Sequence, residues 1–540
     1  MSLMRSVFLN DVKIRDSSKA NRLIAILAGI LFVVSIIPII WMIPFNYASA
    51  EDMNFGASVH RAIMDGGNAS YVFRTALIQA GETYNTWQGT WFCNFVHQFE
   101  PSVFNEKAYV IVPVFAIALV LLSHYVFLKT ILVDIFEIDT NTFYTVFFIF
   151  SFFLFQFIIS PKYGYFFYIG VIAYTLPVIL AILVTTMLIR YLLYEHIGML
   201  LWTIPLVVMV GGCGYPPAVL LLTVFLLCAA RILFSSSKKR MLFLLMPFIP
   251  FLVSLYISVI APGNHARGGS NLHVGFRELF IVLARSLKAG LLGEYRETSF
   301  YYYIRPLFIL VVALFIISFY AFDPHRCKYP IENPIIALFV HVAIVSCVHA
   351  PEELINLVAK ESNEATGFSS GVYNAYYFVF MLSTTVLCMY IGAWAKTILL
   401  KYMPSSKLID SKWFEQHIMI GFALFVVMFC LVMGKHLVGN TVDYLCINYI
   451  KSGALMDYDY QMRERIALLS DDTCSDVIVP QMNYDQGPFQ HFSLSEYDKD
   501  AWANVCTARF YNKQSVLAMD RVTFYGQYGY VLEDENSSEP

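Results

Sequence analysis

Charge is scarce in this chain. Lys, Arg, Asp and Glu make up only 14% of 540 residues and the net charge is -3, so there is no basic stripe to lie along a nucleic-acid backbone, and no nucleic-acid partner is expected. No lysine closes a Walker-type loop, which removes the P-loop nucleotidases. The run Gly211-Gly212-Cys213-Gly214 has no strand before it and reads as a membrane re-entry turn capped by Pro216-Pro217. His124, His341, His349 and Gln156 show no metal-ligand spacing and read as hydrogen-bonded core groups.

Apolar length takes the place of charge. Hydrophobic residues are 58% of the chain, and apolar runs recur that are long enough for ~30 Å of hydrocarbon. Eleven spans are expected, near 23–43, 109–129, 142–160, 166–190, 197–212, 215–234, 241–261, 304–322, 334–350, 371–395 and 416–438. The first follows a polar start and lacks a small-residue cleavage site, so it reads as a retained helix. Arg5, Lys13, Arg15, Lys19 and Arg22 gather before it. Arg231, Lys238, Lys239 and Arg240 gather at a later turn, and Lys396, Lys401, Lys407 and Lys412 at another. By the positive-inside rule those turns are cytoplasmic. The reading is a multi-pass protein with residues 1–22 in the cytoplasm, a transmembrane core over 23–438, and residues 439–540 outside.

Three pieces outside the spans share the outer face: loop 44–108, loop 262–303 and the tail from 439. In the second, Phe276, Leu279, Phe280, Leu283, Leu287 and Leu291 recur at helical spacing opposite Arg277, Arg285 and Lys288, which predicts an interfacial helix over 274–293. The tail is acidic and aromatic. A helix is expected around 460–469, with strands at Val477-Ile478-Val479-Pro480 and Val522-Thr523-Phe524-Tyr525, so it reads as a small α+β cap. Most of the ten cysteines fall in spans, where they serve as small hydrophobes. Cys446, Cys474 and Cys506 in the tail and Cys93 in the first loop are left as disulfide candidates, with no pairing assigned.

The loop after the first span carries the acidic pair Glu51-Asp52. A carboxylate beside a bilayer suits an enzyme that deprotonates a water-borne hydroxyl while holding a lipid-borne donor. The blander reading is a capped helix start on a solvated loop. Beyond the seventh span, Pro262-Gly263-Asn264-His265-Ala266-Arg267 offers a tight turn, a guanidinium able to grip phosphate and an imidazole; Arg305 opens the next span. Tyr84, Trp87 and Trp91 supply ring faces of the kind that hold sugars, and equally of the kind that belt a membrane interface.

On these residues, together with Trp87-Gln88-Gly89, Asp459, Arg463 and Val477-Ile478-Val479-Pro480, the chain resembles the GT-C superfamily of integral-membrane glycosyltransferases. It is most similar to a bacterial branch near the O-antigen-modifying glucosyltransferases. Thr90 stands where related sequences often carry Arg after the Trp-x-Gly turn. The resemblance implies an all-α polytopic enzyme of the bacterial plasma membrane. It would move a sugar from a polyprenyl-phosphate donor to a cell-envelope polysaccharide, with inversion. Asp52 or Glu51 would be the general base, Arg267, His265 and Arg305 the phosphate ligands, and Trp87, Tyr84, Trp91 and Asn264 the sugar or acceptor contacts. The lipid-linked sugar is a co-substrate; no cofactor is required, and a divalent metal remains compatible. The rival reading is a lipid-linked glycan transporter or a non-catalytic envelope-assembly scaffold. Almost every acid lies outside the spans, which favours the enzyme.

Overall fold

The computed structural model describes residues 19–234, 239–266, 275–292, 301–361 apart from 328, 330 and 332, 370–402, 434, and 438–529 apart from 484–486. Nearly all of it is helix. The first helices are α1 (Lys19–Met42), α2 (Ala50–Met64), α3 (Ala69–Thr86), α4 (Trp91–His97), α5 (Ile111–Lys129), α6 (Thr140–Gln156) and α7 (Leu176–Tyr194). Then come α8 (Ile197–Gly211), α9 (Tyr215–Leu233), α10 (Arg240–Val259), α11 (Pro262–Ala266), α12 (Phe276–Leu292), α13 (Tyr301–Ala321), α14 (Pro334–Cys347), α15 (Ala350–Glu361) and α16 (Ser370–Tyr402).

Among the described residues, six helices are long and apolar enough to cross a membrane. The pair Pro334–Cys347 and Ala350–Leu357, bent by 45°, reaches that length and apolarity only when taken together as one broken helix. Thr140–Gln156, Ile197–Gly211 and Leu307–Ala321 are apolar but shorter. This is an all-α multi-pass membrane protein. Six of the expected spans coincide with the long apolar helices and 334–350 with the first part of the bent pair; 142–160, 197–212 and 304–322 fall on the three shorter helices, and 416–438 lies outside the described residues.

On α1, Phe32, Ile36, Ile39 and Met42 are buried against α6, whereas Leu27, Leu31, Val34 and Trp41 are exposed. Exposed aliphatic surface of that extent belongs against lipid and not water. Gln156 ties three helices together: its Nε2 donates to Ser35 O at 2.8 Å and its Oε1 accepts from Asp443 N at 2.9 Å. His124 and His341 are likewise hydrogen-bonded within the core, to Val120 O and Ser383 Oγ. The run Gly211–Gly214 links the end of α8 to the start of α9. Ser254 and Ser258 on α10 donate to Val208 O and Gly211 O, so small residues let α8 and α10 pack closely. The expected interfacial helix is α12: Phe276, Leu279, Phe280, Leu283 and Leu291 are exposed, while Val282, Ser286 and Ala289 are buried on the side that meets α14 and α15.

The tail holds α17 (Val442–Lys451), α18 (Ala454–Leu469), β1 (Asp476–Pro480), α19 (Trp502–Phe510), β2 (Ser515–Met519) and α20 (Arg521–Tyr528). β1 and β2 pair in parallel, Asp476 with Ser515 through Pro480 with Met519. The second strand therefore precedes its expected place. Residues 522–525 are helical because Asp520 accepts from Thr523 N at 3.1 Å and starts α20, while Val516 and Ala518 supply the buried alternation of a strand. Parallel pairing needs a crossover, which α19 provides while packing on α2.

Candidate functional site

The site is built at the start of α2. Ser49 is extended (φ -118°, ψ 174°), and its backbone N–H donates to Asp52 Oδ2 at 2.9 Å in a capping box. Tyr109 Oη donates to the same oxygen at 2.7 Å, and Ile169 N donates to Oδ1 at 3.3 Å. Asp52 is 0% exposed, and among the described residues no cation pairs with it. Burial pushes its carboxyl up to about 7. The neighbouring charge of Glu51 acts in the same sense, while the donors from Ser49, Tyr109 and Ile169 pull the other way.

A second carboxylate lies close by. Glu100 is fully buried, accepts from Ser102 N at 2.8 Å, and rests against α2 so closely that a Cβ on Gly56 would sit 2.9 Å from Glu100 Oε1. Burial raises Glu100 well above the carboxylate range, and the charge of Asp52 adds to it. The charge of a nearby ionised carboxylate thus makes the ionisation of Glu100 harder still. His97, at the end of α4, completes the group. Burial drives its imidazole down to about 3, a backbone contact with Ile169 pulls the other way, and its ring lies 4.9 Å from that of Phe55. Sequence reasoning missed Glu100, His97 and Tyr109. The available signal was a lone acid within the aromatic stretch 91–104.

Glu51 points elsewhere. It is half-buried under the tail, where its charge helps to raise the thiol of Cys506 on α19, after burial as the main cause. The tail is bonded to this region at further points: Tyr47 Oη donates to Asp459 Oδ1 at 2.6 Å, Arg61 donates to Arg509 O at 3.2 Å, and Arg509 donates to Ser58 Oγ at 3.2 Å.

The aromatic turn and the exit of α10 meet. Asn264 Oδ1 accepts from Gly89 N at 2.9 Å, and its Nδ2 donates to Ser258 O at 2.8 Å. A Cβ on Gly89 would lie 1.9 Å from Ser258 O, and one on Gly263 would lie 2.6 Å from both Trp87 N and Gln88 N. The two motifs thus grip each other backbone to backbone, and the amide of Asn264 is occupied by that contact. Tyr84 Oη donates to Ile257 O at 2.7 Å. Trp87 and His265 remain exposed beside the junction, while Trp91 is half-buried against Phe92 and Gly212. Arg267 lies outside the described residues, as does the side chain of Arg305, which is placed only as a position on α13.

α4 joins the two halves, running from Trp91 to His97 over about 9 Å at 1.5 Å per residue. Cys93 on its inner face meets Cys213 in the α8–α9 turn, and both thiols are buried and free. The tail cysteines are also free: Cys446 and Cys506 are buried and Cys474 is exposed. Among the described residues no three His, Cys, Asp or Glu side chains assemble as a metal site. No protein-family model matches this chain, and no curated protein matches it.

Proposed function

We propose that this chain is a membrane glycosyltransferase that moves a sugar from a polyprenyl-phosphate donor to a hydroxyl of a bacterial cell-envelope glycan, on the outer face of an eleven-span, N-in and C-out topology. One observation carries the reading. Asp52 is a carboxyl held dry, without a cation, at about 7, where a base is half-ready at neutral pH. In the proposed step a lone pair of the acceptor oxygen forms the new bond to the anomeric carbon as the bond to phosphate breaks. Asp52 takes the hydroxyl proton, and the lipid phosphate departs with the electron pair. Glu51, on the preceding position and half-buried, is the alternative base. Arg267, His265 and Arg305 are assigned to the departing phosphate, and Trp87, Tyr84 and Trp91 to the sugar faces. Asn264 acts by positioning the Trp87–Gly89 turn.

A second reading, a glycan transporter or envelope-assembly scaffold without catalysis, has its own observation. The oxygens of Asp52 already accept bonds from Ser49, Tyr109 and Ile169, so the residue has a structural use as a helix cap. The deciding experiment is transfer of labelled sugar from polyprenyl-phosphate donors in vesicles holding Asp52→Asn, Glu51→Gln or both. An amide keeps the acceptor oxygen of the cap but cannot take the proton, so loss of transfer by a folded Asp52→Asn or Glu51→Gln protein supports the enzyme. Parental rates in all three variants would leave the scaffold or transporter reading.

A further inference from the structure

At the end of the bundle remote from Asp52, α7, α9 and α10, with Tyr329, line a half-open cavity of ≈ 240 Å³. Its position follows from chain direction. Asp52 accepts from Ile169 at the start of the apolar segment Tyr168–Tyr194, and Leu192 near the end of that segment lines the cavity, so the two lie on the order of 35 Å apart at 1.5 Å per residue.

The lining is amphiphilic. Ile135, Ile189, Leu192 and Ile232 form its walls, and Arg231 and Arg240 bring two guanidinium groups to it. Arg240 is already engaged, pairing with Glu195 and reaching Leu192 O. Asp134, beside the lining residue Ile135, is held by Arg190 at 3.2 Å. Arg231 sits exposed in the last turn of α9 without a hydrogen bond or ion pair among the described residues. Arg231, Arg240 and Glu195 together leave one net positive charge facing aliphatic walls. A free inorganic anion would use the charge and leave the walls wet, whereas an aliphatic solute would do the reverse. A ligand that satisfies both has a singly charged anionic head and a hydrocarbon body. The volume falls below that of drug-sized sites and suits a headgroup with its first methylenes.

We infer that this cavity binds the phosphodiester headgroup of an anionic phospholipid, with Arg231 as the principal contact. Sequence reading puts Arg231, Lys238, Lys239 and Arg240 at a cytoplasmic turn, the leaflet whose anionic lipids attract basic juxtamembrane groups. The inference is independent of the proposed transfer chemistry, which lies at the other end of the helices.

The test uses the full chain purified in a neutral detergent and titrated with phosphatidylglycerol, with phosphatidylcholine of the same acyl chains, and with glycerol phosphate lacking acyl chains; bound lipid is counted by native mass spectrometry. Phosphatidylglycerol is expected to bind at least about fivefold tighter than phosphatidylcholine. Arg231→Gln should remove about fivefold of that affinity, the effect of one cation at such a surface, and Arg231→Lys should retain part of it. Equal binding of the two lipids, or full phosphatidylglycerol affinity in Arg231→Gln, would overturn the site. Glycerol phosphate competing as well as the lipid would also overturn it, in favour of a free-phosphate site. Because the lipid preference of the parental protein is a test in itself, poor insertion of a variant does not remove it.

Discussion

Tyr109 donates its phenolic hydrogen to Asp52 across 2.7 Å while accepting from Tyr168 N at 2.9 Å, and so links the start of α2 to two apolar helices that follow it far along the chain. The bond stabilises the ionised form of Asp52 and opposes the burial that raises it.

Tyr109→Phe should therefore raise Asp52 further above about 7 and leave Tyr168 N–H unpaired, at a cost of about 1–3 kcal/mol. If Asp52 is the base, the rise of transfer rate with pH moves to higher pH in this variant. A pH–rate profile that coincides with the parental one would contradict that link.

The raised carboxyl also fixes the sign of a stability effect. An acid at 3.8 when unfolded and about 7 when folded holds its proton more tightly in the fold, so the unfolded chain loses its proton first as pH climbs. Stability contributed by protonated Asp52 is full below about 4, falls as pH rises through 4 to 7, and is lost above that. Asp52→Asn has no proton to lose, so its melting temperature should decline less between pH 5 and pH 8 than that of the parent. Thermal melts in detergent at the two values check this, and identical declines would argue against a dry, titrating Asp52.

The junction between the aromatic turn and α10 should be intolerant of added bulk. Gly89→Ala places a methyl group where Ser258 O stands, and both partners are backbone, so neither can move aside cheaply. A loss of several kcal/mol is expected, and overpacking of even ordinary side chains costs about 1–3 kcal/mol. Asn264→Ala leaves Gly89 N–H without its acceptor and should cost about 1–3 kcal/mol. Protease sensitivity of loop 44–108 and the melting temperature are the readouts. A parental melting temperature in both variants would show that the two motifs do not hold each other.

Thiol chemistry separates the cysteines. Cys474 is exposed, whereas Cys93, Cys213, Cys446 and Cys506 are buried, with burial raising the Cys446 thiol to about 12 and the Cys506 thiol to about 11. In the folded protein an alkylating reagent should label Cys474 well ahead of these four, as read by peptide mass spectrometry. Comparable early labelling of Cys446 or Cys506 would mean that α17 or α19 is not packed as described.

The sequence by itself determined the class of this protein, because apolar runs of membrane length have few other folded fates, and helix satisfies their backbone groups internally. It also located the amphipathic helix α12, through the spacing of Phe276, Leu279, Phe280 and Leu283, and the strand at 476–480. These are local signals. Tertiary structure alone decided that the partner strand is Ser515–Met519, since pairing depends on the crossover made by α19. It decided that Cys93 meets Cys213 and no tail cysteine, and that Asn264 holds Gly89, because each contact joins segments more than a hundred positions apart. It also divided Glu51 from Asp52. Adjacent positions near the start of a helix project about 100° apart, so which one turned inward to Tyr109, with Glu100 close by, and which toward α19 depended on the helices that closed over them.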